Sequence, residues 1–228
     1  MKIHSSFIKI VIFCSVFLFF VLPPIFTKPD FNAFSGWHFP ILQFILFLFT
    51  LFLFFISREL WKKTIHTGKP FAFYDFIFPA TFCLCVLFCI SFFCNGIAIL
   101  TESGKNDYIV TLPSGIIEWL FCIMTFIFSA SYEEILYRFY LPEAVLNWID
   151  LQNAESPSLQ GKIFVFLTET VCAILFASAH FYAGIFAVIN AFFAHFVLRR
   201  CYKKTGFIGA GISAHLVYNL VQLFLSQL

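Results

Sequence analysis

Charge is what this sequence has least of. Only 11% of its 228 residues are Asp, Glu, Lys or Arg, where a soluble domain carries about 25%. That shortage excludes an ordinary soluble domain and puts the chain in the membrane class. A net charge of +2 gives no ground for a nucleic-acid partner. The cysteine cluster CLCVLFC at 83–89 holds no CxxC pair and has no His, Asp or Glu beside it. The eight cysteines therefore read as small apolar side chains, neither bridged nor metal-binding. HExxH is missing, which removes the commonest helical zinc-protease signature. No small-x-small cleavage site follows the first apolar run, which ends LPPIFTKPD, so that run reads as an anchored helix and not a signal peptide. Internal repeats and a separate soluble domain are also missing.

What is there is apolar. Hydrophobic residues make up 61% of the chain, 37 of them Phe, and the mean hydropathy is +0.92. Uncharged runs of about 17 to 25 residues are long enough to cross a bilayer. They fall at 7–26, 39–57, 76–100, from near 115 onward, twice within 163–198 with a turn near HFYAG, and at 207–226. The expected fold class is an all-α, polytopic transmembrane helix bundle of about seven spans with a polar cavity inside the membrane. Residues 1–110 form unassigned N-terminal helices, and 111–228 carry the chemistry. The loops 58–69 and 199–204 are basic, while 27–38 and 101–114 are not. About seven spans with a cytoplasmic N-terminus put both basic loops in the cytoplasm. The segment 143–161 then becomes a cytoplasmic connection with an interfacial helical turn around Trp148.

Most polar residues cluster at the loops, and a few sit too deep for that. Glu133, Glu134 and Arg138 interrupt the fourth span in SYEEILYRFY, His180 lies on the fifth, and His215 with Asn219 on the seventh. Charged groups at such depth are expensive and mark functional sites by default. Residues four apart share a helix face, so Glu134 can pair with Arg138 and His215 can stack with Asn219. Glu133 is rotated by about 100° from Glu134 and is left to point elsewhere. Phe176, four before His180, can wall the pocket beside the imidazole. Asn190 and His195 are secondary candidates. His195, one turn from Arg199, reads as a packing residue, and Glu169 as an interfacial residue near the mouth. Pro142 either ends the fourth helix or lets it continue to Trp148. The cavity is expected between the midplane and the cytoplasmic face.

Taken in order, EEILYR (133–138), FASAH (176–180) and HLVYN (215–219) match EExxxR, FxxxH and HxxxN. With TGFIGAGISAHLVYNL (205–220) they resemble the CPBP family, the type II CAAX prenyl protease and bacteriocin-processing (Abi) group of intramembrane glutamic endopeptidases. The resemblance covers roughly 115–225. It implies peptide-bond hydrolysis in which Glu133 and His180 activate water while His215 and Asn219 stabilise the oxyanion. Glu134 and Arg138 support them. It implies no metal and no cofactor, a membrane-associated or lipidated protein or peptide as substrate, and a bacterial inner (cell) membrane as location. One departure stands out: Phe139 follows the motif arginine, where the family often has glycine. Two other readings stay open. Glu133, His180 and His215 could form a two-His, one-carboxylate zinc site, although Asn219 suits an oxyanion better than a ligand role. A non-catalytic immunity, scaffold or transport protein could retain the polar cluster for packing, although the intact set of four residues argues against it.

Overall fold

The computed structural model describes residues 2–27, 39–60, 73–101, 112–148 and 158–225, and every regular element among them is helical. Helix α1 (Lys2–Val16) passes through a π-helical turn (Phe17–Val21) into the short α2 (Pro23–Phe26). Helices α3 (Ile41–Leu60) and α4 (Phe73–Leu100) follow. Then α5 (Ile116–Glu133), a π-helical segment (Glu134–Tyr140) and α6 (Leu141–Trp148) form one continuous rod. Helix α7 (Leu159–Ser178) leads through a 3-10 turn (Phe181–Ala183) to α8 (Ile185–Thr205) and α9 (Ile208–Leu225).

Six stretches are long and apolar enough to cross a bilayer: Lys9–Phe26, Phe73–Leu100, Ile116–Trp148, Leu159–Ser178, Ile185–Thr205 and Ile208–Leu225. The remaining expected run, 39–57, is met by α3, whose apolar stretch Ile41–Ser57 is shorter. It spans about 26 Å, under the ~30 Å of a hydrocarbon core.

The bundle turns bulk outward and small residues inward. On α4, Phe82, Phe92 and Phe93 are exposed, whereas Ala80, Cys83 and Leu87 pack against Ala194 and Leu198 of α8 and Ala210 and Ala214 of α9. Lipid rewards close helix contact through small side chains and does not penalise exposed Phe. All eight cysteines are free, and Cys14, Cys85 and Cys89 are exposed, so the CLCVLFC cluster is only partly buried. The predicted turn near HFYAG lies between α7 and α8, closed by Gly184 at φ 91°, a left-handed value that a side chain would strain. Gly206, at φ 65°, caps α8 and donates its N–H to the Tyr202 carbonyl at 2.8 Å, turning the chain back into α9.

Two expectations about polar segments change. Residues 199–204 are no loop but the end of α8, and Arg199 within them is buried. Residues 143–148 belong to α6, and Glu143 is buried too. Pro142 therefore does not end the fourth span. Trp148 closes α6 half-exposed and edge-on to Phe13 of α1, 4.7 Å between ring centroids. Residues 149–157 of the connection, and most of the loops 27–38, 58–69 and 101–114, lie outside the described residues.

Candidate active site

The π-helical segment starts at Glu134, immediately after Glu133. A wider turn at this point re-aims the side chains that follow, as π-bulges at functional sites do. Glu134 is wholly buried and points at α9, where its Oε1 accepts a hydrogen bond from His215 Nδ1 at 2.9 Å. The same Oε1 lies 3.5 Å from Arg138 Nε. So the predicted Glu134–Arg138 pair exists, but as a charge contact too long for a good hydrogen bond, and Glu134 has a second, closer partner. Arg138 is itself wholly buried and lays its guanidinium over the Phe176 ring, 3.7 Å from the centroid. That contact is a cation–π interaction in a desolvated place.

Glu133 is less buried than its neighbour, with 22% of its side chain exposed against none for Glu134. Its Oε2 lies 3.7 Å from His215 Nε2 and has no hydrogen-bond partner among the described residues. The two nitrogens of His215 thus divide between the two carboxylates. His180 lies within electrostatic reach of both Glu133 and His215. Its Nδ1 is 2.9 Å from the Phe176 carbonyl. A carbonyl only accepts, so that nitrogen carries the proton and Nε2 of the neutral ring keeps its lone pair. Phe176 walls the imidazole as expected, its ring edge-on to His180 at 4.7 Å, while its flat face takes Arg138. Asn219 is half-buried and one turn beyond His215, about 6 Å further along α9.

Small residues admit this arrangement. A Cβ on Gly211, one turn before His215, would sit 2.9 Å from Glu134 Oε2. Phe139, the departure next to the motif arginine, faces the other way, packing against Phe54 of α3 and Tyr202 of α8 at 4.9 and 5.9 Å. It ties the rod to the N-terminal helices. Asn190 donates to the Tyr218 hydroxyl at 2.7 Å and bridges α8 to α9.

Residues 115–221 match the family model described as type II CAAX prenyl endopeptidase, Rce1-like. This region is similar to the CAAX-protease family. It runs from the start of α5 through most of α9 and contains all three motifs. No curated protein matches the chain, and no solved structure does. The chain is an integral membrane protein whose residues 115–221 are similar to CAAX-type intramembrane proteases.

The CAAX-protease region also holds a second buried cluster that the sequence reading misplaced. Glu169 is buried and not interfacial: both its oxygens accept from Arg199 Nε, at 3.0 and 3.1 Å, and Oε1 also meets Lys203 Nζ at 2.8 Å. Arg199 Nη2 pairs with Glu143 Oε1 at 2.8 Å, and Nη1 donates to the Arg138 carbonyl at 2.6 Å. His195 is wholly buried, 4.0 Å from Glu169 Oε2. One local signal pointed here. Pro142 inside an apolar run leaves a carbonyl of the preceding turn without a helical donor.

For the zinc reading, three side chains would have to converge on one point. Among the described residues no group of three or more His, Cys, Asp or Glu is arranged to hold a metal ion. His215 Nδ1 is taken by Glu134 and His180 Nδ1 by a carbonyl.

Proposed function

We propose that this CAAX-type protease is a glutamic endopeptidase whose general base is Glu133. One observation carries the reading: of two adjacent carboxylates, Glu134 is engaged by His215 and Arg138, while Glu133 Oε2 has no hydrogen-bond partner among the described residues and faces a histidine nitrogen. An open acceptor beside a second base, His180 Nε2, is what a water needs to be held and deprotonated. The water oxygen attacks the peptide carbonyl carbon and its proton passes to Glu133. The oxygen of the tetrahedral intermediate takes the negative charge. Asn219 Nδ2 and His215 Nε2 are its donors, and His215 donates there in the form protonated on both nitrogens, held between two carboxylates. Such donors, fixed where water is scarce, are each worth about 3 kcal/mol in other enzymes. Collapse breaks the C–N bond, and the proton on Glu133 goes to the leaving amine nitrogen. Glu134 orients His215, and Arg138 offsets the charge of Glu134 from its seat on Phe176.

The substrates are membrane-associated proteins or peptides, with lipidated ones included by the family description. The N-terminus lies in the cytoplasm of a bacterial inner membrane, in keeping with the basic stretches 58–69 and 199–204. Residues 111–228 are the protease core, and 1–110 are helices added to it.

Mass spectrometry of protein termini in cells carrying wild-type or Glu133→Gln protein tests the reading. New internal termini on membrane-associated proteins should be present with the first and missing with the second. Identical termini in both cells would leave a packing role for the cluster and overturn the assignment.

A further inference from the structure

Pro142 stands inside the rod, nine residues after Glu133 and six before its end at Trp148. Leu141 donates five residues back, to the Leu136 carbonyl, and Pro142 has no N–H, so where the π-helical segment passes into α6 the carbonyls of residues 137–139 outnumber their helical donors. A buried carbonyl without a donor is costly, and such groups are almost always satisfied by something else. Here the substitute is a side chain from another helix, Arg199 Nη1 of α8 at 2.6 Å. The aim of that guanidinium is set by two carboxylates on two further helices, Glu169 of α7 and Glu143 of α6. Lys203 adds a second positive charge against Glu169, so among the described residues the cluster balances two cations with two anions. A charge-balanced cluster around a buried arginine holds a geometry that an isolated buried charge could not.

We infer that Arg199 is a positioning residue of the catalytic cluster: it stands in for the backbone donor that Pro142 lacks and so holds the π-helical segment in register. This rests on the functional reading above. The held carbonyl belongs to Arg138, whose own guanidinium lies 3.5 Å from Glu134 Oε1 and 3.7 Å from the centre of the Phe176 ring. Releasing that carbonyl lets the segment relax around the proline. Arg138 and Glu134 then shift together, and His215 loses its 2.9 Å acceptor. The cluster around Arg199 never touches the reacting atoms. It acts only through the backbone of residue 138.

The chemistry of the missing donor supplies the test. Pro142→Ala restores a backbone N–H to the turn whose carbonyl Arg199 serves. Full-length protein labelled with 15N-histidine is compared in nanodiscs as wild type, Arg199→Met with Glu143→Gln, and that double variant with Pro142→Ala. The double variant keeps charge balance because Glu169 retains Lys203. Two signals are read: the His215 Nδ1 resonance, assigned by its loss in His215→Asn, and the yield of Glu133-dependent protein termini in cells.

The double variant should lose the bonded His215 signature, and the termini should fall on the order of 10²-fold, as for a misplaced catalytic group. Adding Pro142→Ala should recover both. An unchanged His215 signature in the double variant overturns the inference, and so does a lost signature that Pro142→Ala fails to recover. If the double variant does not fold, Arg199→Lys carries the same comparison. Its single ammonium keeps the charge but cannot serve both carboxylates and the carbonyl at once. If no termini depend on Glu133 in any cell, the protease reading fails, while the His215 signal still decides the role of Arg199.

Discussion

Glu134 and Glu143 lie on the same rod, and each faces a buried arginine. Around Glu143 nearly every contact is short: Arg199 meets two carboxylates and a carbonyl between 2.6 and 3.1 Å, and Lys203 adds another at 2.8 Å. Around Glu134 the contacts are looser. Arg138 stands 3.5 Å away with no hydrogen bond on any guanidinium nitrogen among the described residues, and one oxygen on each of Glu133 and Glu134 has no partner there either. Both clusters are costly to bury. In the first each charged group has a close partner of opposite charge, as a device that holds helices needs. The second keeps open acceptors and donors, which is what a group that must bind water and an oxyanion needs, and it leans on the first for its rigidity.

Substitutions in the two clusters should therefore fail in different ways. Glu133→Gln keeps the shape and removes the base; cleavage should fall by roughly 10²- to 10⁴-fold with an unchanged melting midpoint. A fall in both would put Glu133 in the structural class. Glu169→Ala should do the reverse first. It strips Arg199 and Lys203 of a buried partner and should cost about 3 kcal/mol of stability, read as a lower melting midpoint in nanodiscs. Asn219→Ala should lower turnover on the order of 10²-fold and leave substrate affinity nearly unchanged, because the lost donor acts on the transition state. An effect on affinity alone would remove Asn219 from the oxyanion role. The smallest change is Gly211→Ala. Its methyl group must push back a Glu134 oxygen that would lie 2.9 Å away. A loss of about tenfold in turnover is expected, as for a small displacement of an orienting group. Full activity would mean that the Glu134–His215 contact is dispensable.

Much of this was legible before any coordinates. Long uncharged runs admit only helices across a bilayer, since each backbone group must find its partner within the segment. The i, i+4 spacings placed Glu134 with Arg138 and Phe176 with His180, and both pairs are in contact. The second cluster was not legible. Glu169 and Arg199 are thirty residues apart on different helices, and each looked like an ordinary residue at a span's edge. The charge at residue 134 misled in a subtler way. Local spacing offered it one partner, whereas the fold brought a closer one from 81 residues away.

By itself, then, the sequence determined an all-helical membrane protein, the position of the HFYAG turn, and a set of polar residues with no cheap reason to lie in lipid. Those follow from periodicity, run length and solvation cost, which are local. Tertiary structure decided which glutamate is engaged and which is left open, and which side chain serves the Arg138 carbonyl ahead of Pro142. Those depend on which helix packs against which face of the rod. In a chain whose faces are nearly all apolar, hydrophobic pattern ranks the possible neighbours weakly, and only the close packing of small residues among α4, α8 and α9 separates them.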